Sequence, residues 1–203
     1  KLFLICDEIY SHIVYNGHQP LHLSEVLDDV CGLVMRGTSK EYPWPGARCG
    51  WIEVINRNRD EMFNTYVNSL LASKRLEVCS TTIPQLSIPR VMGDPRYPGH
   101  LRRRAGIFEA RAREAHGILS AINGVRVNCP SGAFYVTVLF NDGALTDKQS
   151  LRIGNPEIRR MVEGLVAGAP RDRRFVYYLL GATGICVVPL SGFCCKRHGF
   201  RIT

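Results

Sequence analysis

Short apolar runs alternate with helix-spaced stretches along this chain. Residues 2–6 (Leu-Phe-Leu-Ile-Cys) form a continuous apolar run, the pattern of a strand buried on both faces. A weaker run covers 33–35, and 49–55 reads as a third strand after a break at Pro43, Pro45 and Gly46. From about 57 to 73 the period changes. Met62, Phe63, Tyr66, Val67, Leu70 and Leu71 recur at helical spacing. Residues 76–99 carry four prolines and two glycines, which predicts short broken helices or a linker. The clearest helix spans about 98–122. Its stripe of Leu101, Ala105, Phe108, Ala112, Ala115, Leu119 and Ile122 is unbroken, and Gly124 supplies the stop.

The remainder is mixed. Residues 125–127 and 133–140 read as strands around Pro130-Ser131-Gly132. Asn155-Pro156-Glu157 is a helix start, with a capping Asn, Pro at the first position and an acid in the first turn. Another helix is expected over 171–180, and strands over 185–188 and 199–203. Strand–helix alternation suits part of a parallel α/β sheet. The second half suits a separate small α+β domain joined through the long helix, with a boundary near 95–105.

Composition is that of a globular chain: 203 residues, 45% hydrophobic and 22% charged, which excludes collagen-like, coiled-coil and wholly disordered classes. The net charge of +8 invites anionic ligands, yet the arginines cluster on polar faces of predicted helices without interleaved aromatics. Solvated helix surface is the better reading, so no nucleic-acid partner is expected. Most of the eight cysteines sit in apolar runs and none forms Cys-x-x-Cys, so buried free thiols and a reducing, cytoplasmic setting are expected. No apolar run approaches the roughly 20 residues of a membrane span. His18-x-x-x-His22 has metal-like spacing, but Pro20 prevents the helix that would align the pair, so no metal site is expected. The chain opens without Met directly on an apolar run and stops in a predicted strand, which reads as a piece of a longer protein.

Open α/β sheets place ligands beyond the carboxyl ends of their strands. The first predicted strand ends in Asp7-Glu8-Ile9-Tyr10. The second ends in Arg36-Gly37-Thr38-Ser39-Lys40, followed by Tyr42-Pro43-Trp44-Pro45-Gly46-Ala47-Arg48. Alone, each has an ordinary reading: an Asp after a strand is a turn residue, and a Lys is a solvated charge. Together they offer an acid, a phenol, an amine and a guanidinium on one edge. That set matches the pyridinium nitrogen, phenolic oxygen, aldehyde and phosphate of pyridoxal phosphate.

The stretch Gly37-Thr38-Ser39-Lys40, then Arg48-Cys49-Gly50-Trp51, resembles the lysine signature of class I/II (fold type I) pyridoxal-phosphate aminotransferases. Asp7-Glu8-Ile9-Tyr10 is similar to their upstream strand. Pro130-Ser131-Gly132-Ala133-Phe134-Tyr135 resembles their small-domain turn, and Gly199-Phe200-Arg201-Ile202-Thr203 their C-terminal arginine segment. The motifs occur in family order across nearly the whole chain.

The resemblance implies the C-terminal part of a large, mainly parallel α/β domain (1–98), then a long connecting helix and small α+β domain (99–203). It implies a homodimer that moves an amino group between an amino acid and a 2-oxo acid through a Schiff base on Lys40. Lys40 would also shuttle the proton, Asp7 would pair with the ring nitrogen and Tyr10 with the phenolic oxygen. Arg48, with Ser39 nearby, would bind phosphate, and Arg201 would take the substrate carboxylate. Many members carry a phosphate-binding Ser three residues before the lysine, where this chain has Gly37. The family's phosphate loop and ring-stacking aromatic lie in segments upstream of Lys1, so this stretch alone is expected to be inactive. A carbon–sulfur lyase of the same fold, or a non-catalytic aminotransferase-like regulatory domain, are the alternatives.

Overall fold

The computed structural model describes residues 2–203. They divide into two compact units: 2–107 with 131–133, and 108–130 with 134–203. The division falls inside the long helix α3, Tyr97–Ser120.

The first unit holds a three-stranded sheet of β1 (Leu4–Asp7), β2 (Gly32–Gly37) and β3 (Gly50–Ile55), in that order. β1 and β2 are parallel, with Leu4 opposite Gly32 and Asp7 opposite Met35. β2 and β3 are antiparallel, with Gly37 opposite Gly50. The sheet is thus mixed rather than mainly parallel. Parallel strands need a long crossover, and the link from 38 to 49 contains only a single 3-10 turn, Pro45–Ala47, so the chain doubles back.

Two helices complete the unit before α3: α1 (Glu61–Lys74) and α2 (Thr82–Met92). Asp60 caps α1 by accepting from Phe63 N–H at 2.9 Å. Phe63 and Val67 of α1 pack on Cys31 and Leu33, which forms the unit's main core. The helical stripe read from 62–71 is only partly covered, because Met62 and Leu71 face outward. Nor is β1 buried on both faces: Leu4 and Ile5 are exposed, since it is an edge strand with β2 as its neighbour among the described residues. The proline-rich stretch resolves into α2, which carries Pro89 inside it and buries no residue.

The second unit is a four-stranded antiparallel sheet with two helices. β4 (Val125–Val127), β5 (Val136–Phe140), β6 (Val188–Pro189) and β7 (Gly199–Ile202) lie in the order β4-β5-β7-β6. Helix α4 (Pro156–Leu165) starts as its sequence predicts, with Asn155 accepting from Glu157 and Ile158 N–H. Helix α5 (Arg171–Thr183) packs Val176 against Val138, Val187 and Phe200. Phe140, Phe175 and Phe200 cluster there with ring centres 4.9–5.7 Å apart. The strand expected over 185–188 begins only at Val188. Gly184 turns the chain out of α5 in a left-handed conformation, and Ile185 and Cys186 are exposed. The eight cysteines are all free, but only Cys31 and Cys49 are buried, so the expected burial of the rest fails. Apolar neighbours in sequence do not guarantee a packing partner.

Two features of this unit bear on stability. Asp172 is fully buried and accepts from Arg173 N–H at 2.9 Å and Ser191 N–H at 2.8 Å. Burial opposes its charge, but these bonds and nearby His198 outweigh it and hold the carboxyl below its ordinary value. Glu8 of the first unit is likewise held low. Burial is outweighed there by Leu23 N–H, His22 and Arg36 together. Both groups bind protons more tightly when unfolded. Their stabilisation is therefore complete above the unfolded-chain values of about 4 and lost as pH falls through the native values. Urea midpoints should decline on acidification through this range, and Asp172→Asn with Glu8→Gln should flatten that decline.

The second feature is Gly199, which opens β7. A Cβ there would lie 2.2 Å from the Val138 carbonyl oxygen and 2.7 Å from Leu190 Cδ1. Gly199→Ala must displace backbone, at a cost of about 1–3 kcal/mol by comparison with overpacked cores. A lower denaturation midpoint, with β7 amides exchanging faster, is the expected result.

Candidate cofactor and substrate site

The parallel register of β1 and β2 decides the site. It brings both carboxyl ends out side by side, Asp7 beside Met35. The Gly37–Gly50 pair then returns the chain to the same edge, so the whole 38–49 loop hangs over the strand ends. Thr38, almost fully buried, closes that loop. Its N–H and hydroxyl both donate to the Cys49 carbonyl, and its own carbonyl accepts from Trp44 N–H.

A cleft of about 410 Å³ opens at this edge, lined by Asp7, Ile9, Tyr10, Met35, Arg36, Ser39, Lys40, Pro45 and Arg48. All five residues proposed from sequence for the cofactor are among them. The Lys40 ammonium nitrogen lies 5.9 Å from the centre of the Tyr10 ring. An adjoining cleft of about 230 Å³ shares Ile9, Arg36, Ser39 and Arg48 and adds Gly37, Cys49 and Gly50. Asp7 also fills the ordinary role of a turn residue, since Oδ1 accepts from Ile9 N–H at 3.1 Å. One carboxylate oxygen is thereby oriented by the backbone.

Arg48 adopts a left-handed backbone (φ 48°), which costs a non-glycine residue about 1–2 kcal/mol. Its guanidinium donates to the Pro45 carbonyl at 3.0 Å. Gly37 fits tightly: a Cβ would stand 3.1 Å from both the Cys49 carbonyl and Ile9 Cδ1. A side chain there would have to push Cys49 or Ile9 back by a few tenths of an ångström.

Arg201 lies in the second unit, on β7 opposite Thr137 and Val188. Its guanidinium carbon is 4.2 Å from the Tyr135 ring centre and 4.6 Å from that of Phe193. Two aromatic rings thus lie against the cation, contacts that suit the planar guanidinium far better than an ammonium. The buried Nε finds no hydrogen-bond partner among the described residues. A buried donor left unpaired is costly, and a carboxylate ligand would satisfy it.

Several residues around the cleft were not foreseen. Arg36 joins Glu8 at 3.0 Å and Glu53 at 2.9 Å, and Glu8 also accepts from His22 at 2.7 Å. Glu41 is buried against His12 and Ser11. Arg104 of α3 donates to the Lys40 carbonyl at 3.2 Å. Glu8, Arg36 and Glu41 adjoin the singled-out Asp7, Gly37 and Lys40 in sequence, but their partners lie 14–30 residues away along the chain. Trp44 lines a neighbouring cleft with Tyr42, Tyr97 and His100 instead of the Lys40 cleft.

The donor set fits pyridoxal phosphate chemically. A carboxylate, a phenol, a primary amine, a hydroxyl and a guanidinium surround one cleft at a strand-end edge. Among the described residues there is no cluster of three or more metal-ligating side chains, and no helix is long and apolar enough to cross a membrane.

Comparison with known proteins agrees with that chemistry. The family model for aminotransferase class I and II matches residues 1–203. An uncharacterized aminotransferase of Methanocaldococcus jannaschii is 50% identical over 202 residues, covering all of this chain and 47% of that protein. An aspartate aminotransferase of a Bacillus species is 28% identical, covering 95% of this chain and 42% of that protein. Among solved structures, tyrosine aminotransferase from Leishmania infantum superposes with a TM-score of 0.79 at 22% identity, over all of this chain and 44% of that one. The chain belongs to the class I and II aminotransferases, a family that uses pyridoxal phosphate. It spans about half the length of the curated relatives it matches.

Proposed function

We propose that this chain is the lysine-bearing half of an aminotransferase that moves an amino group between an amino acid and a 2-oxo acid. The observation that carries this reading is the convergence of Asp7, Tyr10, Ser39, Lys40 and Arg48 on one cleft in a member of the family. In this reading the first unit is the C-terminal part of the large cofactor-binding domain. The second unit is the small C-terminal domain, and the whole protein works as a homodimer in the cytoplasm.

Bound pyridoxal phosphate would supply an electron-withdrawing ring that stabilises a carbanion at the substrate's alpha carbon. Lys40 would hold the cofactor through its amine, and the same amine is placed to move the proton at the alpha carbon. Asp7, with one oxygen fixed by Ile9 N–H, keeps the ring nitrogen protonated. Tyr10 donates to the phenolic oxygen. Arg48 and Ser39 hold the phosphate, and Arg201 takes the substrate carboxylate through two parallel bonds.

The test is product analysis on the whole protein, supplied with paired amino and 2-oxo acids. Stoichiometric exchange, with no reaction when the 2-oxo acid is omitted, is expected. Release of ammonia without an acceptor would replace this reading with a lyase.

A further inference from the structure

We propose that Glu41 is a positioning residue for Lys40, stapling the lysine loop to the turn that carries Tyr10. The inference rests on the assignment of Lys40 as the cofactor's anchor. Glu41 follows Lys40 directly and is buried to 7% exposure. Its Oε1 accepts from Ser11 Oγ at 3.0 Å and from His12 N–H at 2.8 Å, and it meets His12 Nδ1 at 2.8 Å. All three partners come from the two residues after Tyr10.

A buried carboxylate is costly unless donors surround it, and here one turn supplies all three. Lys40 and Tyr10 thus stand on opposite sides of a short charged clamp, each one or two residues from it. From the other direction, Arg104 holds the Lys40 carbonyl. Two fixed points therefore restrain the backbone of a residue whose side chain must reach one atom of the cofactor. Catalytic groups tolerate displacement of only about 0.5 Å from productive geometry. The loop's own bonds pin Thr38 and Trp44, and Glu41 and Arg104 add the restraint beside Lys40 itself.

The clamp does not touch the cofactor cleft, because Glu41 is absent from its lining. It acts through the placement of Lys40. A structural role alone would lower stability and leave the chemistry of Lys40 unchanged in the protein that remains folded.

The experiment uses the whole protein, stripped of cofactor. Pyridoxal phosphate is added, and the rate of appearance of the visible lysine–cofactor band is followed alongside the thermal midpoint. Glu41→Ala should slow capture about tenfold, the equivalent of losing one charge-assisted hydrogen bond. Glu41→Gln keeps an acceptor oxygen and should recover most of the rate. Ser11→Ala with His12→Ala removes the two side-chain partners but leaves the His12 backbone N–H, so it should slow capture part of the way to the Glu41→Ala rate, which guards against a single variant that misfolds. Adding Glu41→Ala to that pair should then bring capture to the Glu41→Ala rate and little lower.

Capture at the wild-type rate in folded Glu41→Ala overturns the proposal, as does a Glu41→Gln rate no better than that of alanine. Lys40→Ala is run in parallel. If it still gives the band, the Lys40 assignment fails, and that failure is distinguishable from any result at Glu41.

Discussion

Lys40→Ala will abolish the visible band that forms when the whole protein binds pyridoxal phosphate, and with it amino-group exchange. On the proposed role of Lys40, two losses combine in this one substitution: the amine that would anchor the cofactor and the base that would move the alpha proton. Proton transfer by a positioned side chain alone is worth about 10²–10⁴-fold. The fall in kcat should therefore be at least of that order, and it should far exceed any change in cofactor affinity. Asp7, Tyr10, Ser39 and Arg48 still line the cleft in the variant, so pyridoxal phosphate should still bind non-covalently. Equilibrium dialysis separates binding from bond formation. Wild-type turnover in Lys40→Ala would contradict the assignment.

Arg201→Leu carries the second largest expected effect, and it should fall on substrate and not on cofactor. Truncating one partner of a buried hydrogen-bonded charge pair costs about 2–5 kcal/mol, so kcat/KM should drop about 30- to 5,000-fold. The drop should be shared by amino acid and 2-oxo acid, because both present the same carboxylate. The visible band should stay. Arg201→Lys should recover little. An ammonium retains the charge but loses the planar fork, and it packs less well against the Tyr135 and Phe193 rings at 4.2 and 4.6 Å. Unchanged KM values in both variants would remove Arg201 from the substrate site.

The parts of the structure that were legible in sequence are those fixed by local chemistry. Asn155-Pro156 announced a helix start because capping needs only neighbouring residues. The α3 stripe was readable because its period is a property of the helix, and Ala105 and Ala112 are indeed buried. Exposure of β1 was not readable. Its apolar residues record a propensity for burial, while actual burial depends on what covers them. Ile185-Cys186 failed for a similar reason, since the αL turn at Gly184 redirects the segment.

The convergence of Asp7, Tyr10, Ser39, Lys40 and Arg48 on one cleft was legible because each sits within a few residues of a strand end. A single fact, the place of β2 between β1 and β3, then brings them together. The Glu41–His12 clamp and the ring contacts of Arg201 were not. The first joins two loops 29 residues apart. The second joins Arg201 to an aromatic ring on the Tyr135 segment of the chain, and pairwise side-chain geometry of that kind leaves no periodic trace.

The most direct measurement is to load the whole protein with pyridoxal phosphate, reduce it with borohydride and map the modified peptide by mass spectrometry. The account predicts one pyridoxyl group per chain, on Lys40. A stable modification on Lys74, Lys148 or Lys196 with Lys40 untouched would contradict it.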